Sequence, residues 1–197
     1  MSATTDSGST RSSLLRRAKA HDSVAWNELV DLYGPLVHYW CRRCGLDEHA
    51  SSDCLQDVFS AVSRSLSDFQ PCRSEGAFRG WLWTITANKV RDWMRREPRH
   101  QATGGTTALR SLQDVVEEVE LPGEEPTDAM ARNQLIDRAM QQVRDEFAEK
   151  TWSMFHRSVV DNIATQLVAD EFGVSAATVR QARSRVLRRL REQLGDL

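Results

Sequence analysis

No stretch of this sequence approaches the roughly 20 consecutive apolar residues that a membrane-spanning helix requires. The first ten residues are small and polar and offer no apolar core for a secretory leader. The chain is therefore expected in the cytoplasm, away from membranes. Alternating apolar and polar runs are also missing, which argues against a sheet, and no internal repeat is visible. A glycine-rich phosphate loop, a nucleophile elbow and a paired-carboxylate motif are all absent, so the expectation is no enzyme and no cofactor. Cysteine is scarce: four residues, at 41, 44, 54 and 72, all in the first half. In a reducing compartment these are thiols unless a metal holds them. Cys41-x-x-Cys44, with His38, His49 and Cys54 nearby, raises a zinc or redox reading. On a helix over 36–44, however, His38 and Cys44 stand about 240° apart, and the second paired motif of a structural zinc site is lacking. Packing cysteines and no metal are the expectation.

What is present is helical. Hydrophobic residues at 40% and charged residues at 27% describe a globular protein, and 197 residues suffice for one ordinary domain or two small ones. The net charge of −2 conceals an asymmetry. Residues 101–150 carry 11 acids against 5 bases, whereas Phe172 to Arg191 carries six arginines and no acid.

Helical patterning starts at a Ser12 or Ser13 cap and runs through Leu14, Leu15, Ala18, Ala25, Leu29 and Tyr33. Gly34-Pro35 predicts a break, with a further helix over 36–44 stopped by Gly45. Ser52 or Asp53 is expected to begin a helix with Leu55, Val58, Phe59, Val62 and Leu66 on one face. A polar loop over 67–77 then leads to a helix over 78–96, ended by Pro98. Residues 99–127 combine Gly104-Gly105, Pro122-Gly123 and Pro126 with a run of acids, the composition of a linker. Helical patterning resumes at Asp128. The expected organisation is all-α: a disordered tail over 1–11, a helical domain over 12–98, an acidic linker over 99–127 and a second helical domain over 128–197.

Two constellations carry chemistry. On a helix from Phe78, the residues Phe78, Leu82, Ile85 and Trp93 form a core stripe. Thr84, Asn88, Arg91 and Arg95 form a polar, basic stripe opposite. With Trp81 and Trp83 at its start, this helix suits single-stranded nucleic acid, in which charge tracks the backbone and rings stack on unpaired bases. The bland alternative is core tryptophans beneath a solvated arginine face.

The last quarter of the chain reads as helix, glycine turn, helix. Ala169 suits the crossing, Gly173 the turn, Ser175 the N-cap and Val179 the shared core. In the second helix Val179, Ala182, Val186 and Leu190 make a buried stripe. Such a helix enters the major groove by its N-terminal end, so Ala177, Thr178, Arg180, Gln181 and Ser184 are placed to meet base edges. Arg185, Arg188 and Arg191 more naturally meet phosphates.

Asp53-Cys-Leu-Gln-Asp-Val-Phe59, then Phe78-x-x-Trp-Leu-x-x-Ile-x-x-Asn-x-x-x-Asp-x-x-Arg-Arg96, then the helix-turn-helix, resemble bacterial extracytoplasmic-function sigma factors in content and order. The resemblance covers roughly residues 12–97 and 128–194. It implies that the first domain is sigma region 2, with Asp53, Gln56, Asp57 and Phe59 facing the β′ clamp helices of core RNA polymerase. Loop 67–77 and helix 78–96 would open and read the promoter −10 element through Trp81, Trp83, Thr84, Asn88, Arg91 and Arg95. The second domain would be region 4, reading the −35 element as duplex through Ala177, Thr178, Arg180, Gln181, Ser184, Arg185 and Arg188 and docking on the β flap. An anti-sigma factor is a further partner of such proteins. The chain departs from the family pattern in Met140-Gln-Gln-Val-Arg-Asp-Glu-Phe147, which lacks the usual Leu-Pro-x-x-x-Arg, in Trp152-Ser-Met-Phe155, and at Arg183. The rival readings are a stand-alone helix-turn-helix repressor or activator, and a thiol or metal enzyme built on Cys41, Cys44 and Cys54.

Overall fold

A computed structural model of the chain describes residues 14–70, 77–101 and 121–194. The expected tail and Ser12/Ser13 cap, the loop over 71–76 with Cys72, and the linker from 102 to 120 lie outside the described residues. Among the described residues there are helices and no strand. In chain order they are α1 (Leu14–Lys19), α2 (Ser23–Arg43), α3 (Glu48–Ser65), a 3₁₀ turn (Leu66–Asp68), α4 (Ala77–Gln101), α5 (Ala129–Arg144), α6 (Glu149–Val159), α7 (Thr165–Phe172) and α8 (Ala176–Leu194). Contacts group these residues into two compact units, one from 1–28 and 139–195, the other from 29–138. The unit limits fall inside α2 and α5, not at the expected boundaries near 98 and 128.

In the unit over 29–138, α2 corrects the expected break: it runs unbroken from Ser23 to Arg43 with Pro35 inside it. An interior proline costs about 3 kcal/mol through a lost hydrogen bond and a clash. Leu32, Tyr33, Leu36 and Val37, on both sides of Gly34-Pro35, are all buried. At roughly 1.5–3 kcal/mol for each buried side chain, that face outweighs the proline. The start of α3 also differs from expectation. Asp47, in extended backbone after Gly45 (φ 93°), accepts the Ala50 N–H at 2.8 Å, so the helix begins at Glu48 and not at Ser52 or Asp53. Ser52 is interior, its hydroxyl donating to the Glu48 carbonyl at 3.0 Å.

Helix α4 passes Pro98 and reaches Gln101. Its core face is Phe78, Leu82, Trp83, Thr86, Ala87 and Val90, while Ile85 and Trp93, expected in the core, are half-buried. The aromatic packing explains this rotation. Phe78 meets Tyr33 edge-on at 5.0 Å and Phe69 at 5.5 Å, and Trp83 meets Trp40 edge-on at 5.6 Å.

In the other unit, α6, α7 and α8 pack on one another and α1 packs on α8. Gly173 takes the left-handed conformation (φ 62°, ψ 42°) and donates its N–H to the Ala169 and Asp170 carbonyls. The Val174 N–H returns to Ala169 at 2.9 Å, so the chain reverses within two residues. Met154, Val168, Ala169, Val179 and Ala182 then form one core, with Ile163, Phe172, Val174 and Ala176 packed against it.

Candidate nucleic-acid interface

Helix α8 is set by its cap and its buried stripe. The Ser175 hydroxyl accepts the Thr178 N–H at 3.2 Å and pairs with the Thr178 hydroxyl at 2.9 Å, as the sequence reading expects. Val179, Ala182, Val186 and Leu190 are buried. Ala177, Thr178, Arg180, Gln181, Ser184, Arg185 and Arg188 are all exposed and share the other face, with Arg183 and Arg191 also exposed. The face thus holds guanidiniums, an amide and hydroxyls within one helix, the groups that meet base edges and phosphates in a major groove.

Arg189 is the exception among the six arginines. It is buried and forms a two-pronged pair with Glu146, Nε to Oε2 at 2.9 Å and Nη2 to Oε1 at 2.8 Å. Gln193, also buried, donates to Gln142 Oε1 at 2.8 Å. The spacing Ala182, Val186, Arg189, Gln193 is a helical core stripe, and that spacing was the only signal in the sequence for it. Arg157 braces the helix-turn-helix. Its guanidinium reaches Glu171 Oε2 at 3.1 Å and Asp161 Oδ2 at 3.1 Å, joining α6 to α7, and these partners raise its pKa, Glu171 foremost.

On α4, Thr84, Asn88 and Arg95 are exposed and Arg91 is half-buried, so the polar stripe is assembled as expected. Arg91 Nη1 donates to Asn88 Oδ1 at 3.2 Å, which orients both side chains. Trp81 is half-buried, with Phe69 at 5.0 Å and Phe78 at 5.6 Å on its inner side. Trp83 requires a correction: at 5% exposure against Trp40 it is core and presents no face for a base to stack on.

On α3, Asp53, Gln56 and Asp57 are exposed, and Ser60, Ser63 and Arg64 continue the polar face. Phe59, expected beside them, is buried at 6% exposure and anchors the helix from beneath. In an amphipathic helix Asp57 and Phe59 lie about 200° apart, so one face cannot hold both.

The end of the expected tether is held within the unit over 29–138. Arg79 Nε pairs with Glu125 Oε1 at 2.9 Å, the Trp40 indole donates to Thr127 Oγ1 at 2.9 Å, and the Tyr39 hydroxyl donates to Asp128 Oδ2 at 2.8 Å. Asp128 also caps α5 by accepting the Ala131 N–H at 2.8 Å. Cys41 and Cys54 are buried and Cys44 half-buried. Among the described residues no three His, Cys, Asp or Glu side chains come together as a metal site. No helix among them is long and apolar enough to cross a membrane.

Comparison with known proteins points to sigma factors. Residues 29–100 match Sigma-70 region 2. The RNA polymerase sigma factor NccH of Alcaligenes xylosoxydans xylosoxydans is 34% identical over 113 residues, 57% of this chain and 57% of that protein. The ECF RNA polymerase sigma factor SigE of Mycolicibacterium smegmatis is 25% identical over 171 residues, covering 86% of this chain and 62% of the relative. SigW of Bacillus subtilis, also an ECF RNA polymerase sigma factor, is 23% identical over 187 residues, covering 93% and 96%. The chain thus spans 57% and 62% of the length of NccH and SigE. An all-helical chain with a Sigma-70 region 2 match over residues 29–100, a polar-faced α4 and a capped helix-turn-helix is thus similar to RNA polymerase sigma factors, among them the extracytoplasmic-function proteins SigE and SigW.

Proposed function

We propose that this protein directs RNA polymerase to promoters, contributes to local melting of the −10 element and initiates transcription without catalysis of its own. The observation that carries the reading is α8: seven side chains expected at the −35 element share one exposed face, backed by a buried stripe and fixed by Ser175 and Gly173. Residues 12–98 act as region 2 and residues 128–197 as region 4, joined by the acidic segment 99–127. Asp53, Gln56 and Asp57 on α3 meet the β′ clamp helices, and region 4 meets the β flap. Thr84, Asn88, Arg91, Arg95 and the outer side of Trp81 meet the opened −10 strand. Stacking is worth roughly 1–3 kcal/mol per base, and unstacking costs a few kcal/mol per step. One small domain therefore cannot melt a duplex alone, and core polymerase has to supply the remaining DNA contacts. An anti-sigma factor is the expected type of regulator.

The test is in vitro transcription with core polymerase, with permanganate probing of unpaired thymines. Wild type should open promoter DNA only in the presence of core enzyme. Arg91→Ala/Arg95→Ala should lose opening while retaining core binding. Sequence-specific regulation by a dimer that never associates with core polymerase would refute the proposal in favour of a stand-alone regulator.

A further inference from the structure

Where the acidic segment runs into α5, residues 125–128 are gripped by three donors from α2 and α4. Glu125 meets Arg79 Nε at 2.9 Å, Thr127 accepts the Trp40 indole N–H at 2.9 Å, and Asp128 accepts the Tyr39 hydroxyl at 2.8 Å. All three donors lie within the region 2 match over 29–100. The Arg79 and Glu125 side chains are only 16% and 18% exposed, so water and salt screen this pair less than a surface contact. None of residues 121–128 is fully buried, however. The grip is polar, and a polar bond exchanges for one to water at small net cost. Such a grip can open. Ala131 and Leu135, on the first turns of α5, are buried beyond it.

Both ends of the acidic segment, Gln101 at the end of α4 and the grip at 125–128, belong to the unit over 29–138. A segment that leaves and rejoins one body is a closed loop. While the grip holds, its length adds no reach towards the helix-turn-helix.

We propose that Tyr39, Trp40 and Arg79 form an intramolecular receptor for the Glu125-Pro-Thr-Asp128 segment, a latch that is closed in the free protein and opens on assembly with polymerase. The opening rests on the sigma-factor reading; the latch itself does not. In that reading the two DNA elements lie about 25 base pairs apart, about 85 Å at about 3.4 Å per base pair. Stretched out, the roughly 27 residues from Gln101 to Asp128 span at most about 90–95 Å. They can help to bridge the two elements only when their far end is free. The closed latch therefore opposes two-point attachment, and the polymerase has to release it.

The test uses the full chain as wild type, Glu125→Gln, Thr127→Val, Glu125→Arg and the charge-swapped Arg79→Glu/Glu125→Arg. Position 125 precedes Pro126, so an arginine there adds no ready tryptic site. Brief tryptic digests of the free proteins are followed by mass spectrometry, with cleavage at Arg110 as internal reference, and circular dichroism checks that each variant is folded. Relative cleavage at Arg132 should rise several-fold in the three single variants and fall back towards wild type in the charge-swapped one. Wild type cut as fast as the single variants, or a double variant cut as fast as Glu125→Arg, would overturn the latch whatever the protein does. Capture on immobilised core RNA polymerase reads the opening. Half-saturation should come at several-fold lower concentration for Glu125→Gln and Thr127→Val than for wild type, because a freed segment lets both regions attach at once. Equal half-saturation would overturn the opening while the digests still establish the latch. Failure of every protein, wild type included, to bind core enzyme would instead refute the sigma-factor reading, and the opening with it.

Discussion

Asp22 and Asp128 show how much single side chains decide here. Asp22 accepts the Val24 and Ala25 N–H groups at 2.9 and 3.2 Å and so starts α2, and Asp128 does the same for α5. Main-chain donors, helped by Arg17 at Asp22 and by the Tyr39 hydroxyl at Asp128, hold both carboxyls below their ordinary pKa. A depressed folded pKa contributes stability that is present above the unfolded value, near 4, and is lost as pH falls through the folded value. Unfolding followed between about pH 5 and pH 2 should therefore show a smaller acid-side loss in Asp22→Asn and Asp128→Asn than in wild type. A second residue-scale outcome separates core from interface. Trp83→Ala and Phe59→Ala should each cost about 3–5 kcal/mol in denaturant titrations, since each deletes a buried aromatic. Trp81→Ala, with one side open, should cost less stability and more promoter opening.

At the scale of elements, the helix-turn-helix joins a turn, a cap and an exposed arginine-rich face. Gly173→Ala puts a Cβ where no atom lies within 4 Å, so its penalty comes from the left-handed backbone alone. About 1–2 kcal/mol of stability should be lost, measurable by thermal melts of the full chain. Along α8, Arg180→Ala and Gln181→Ala should weaken −35 binding with a change in base preference, because a base contact carries roughly 1–3 kcal/mol of discrimination. Arg188→Ala should weaken binding on every sequence and reduce the salt slope by about one unit. Equal losses for all three variants on every duplex would mean that α8 enters the groove the other way round. Arg189→Ala belongs to a different class. It removes both prongs of the pair with the partly buried Glu146, so folding should suffer first.

For the whole molecule, charge segregation is the dominant property. Arginines gather at α8 and acids over 101–150, so promoter binding should fall steeply with salt. The acidic segment also sets where a protease should enter. Its composition predicts tryptic cleavage at Arg99 or Arg110, whereas Arg132, beyond the contacts of Glu125, Thr127 and Asp128, should be spared. Gel analysis of a brief digestion checks this; early cleavage at Arg132 would mean that those contacts do not hold in solution.

Local chemistry in the sequence was enough for the all-helical class, the Ser175 cap, the Gly173 turn, the buried stripe and exposed polar face of α8, and the polar stripe of α4. Each of these depends on neighbours within one or two helical turns, and periodicity records such neighbours directly. The sequence did not disclose that α2 runs through Gly34-Pro35, that α3 begins at Glu48, or that Trp83 and Arg189 face inward. It gave no hint of Glu125 against Arg79 or of Thr127 against Trp40. These outcomes depend on side chains distant along the chain. A proline is carried when the apolar faces on either side of it find a core, and a tryptophan becomes core or platform according to what packs on it. An arginine is buried when a carboxylate more than forty positions away meets both of its prongs. Helix type and polarity are local properties written in the sequence, whereas the side a residue faces is decided by its partners, and those exist only once the chain has folded.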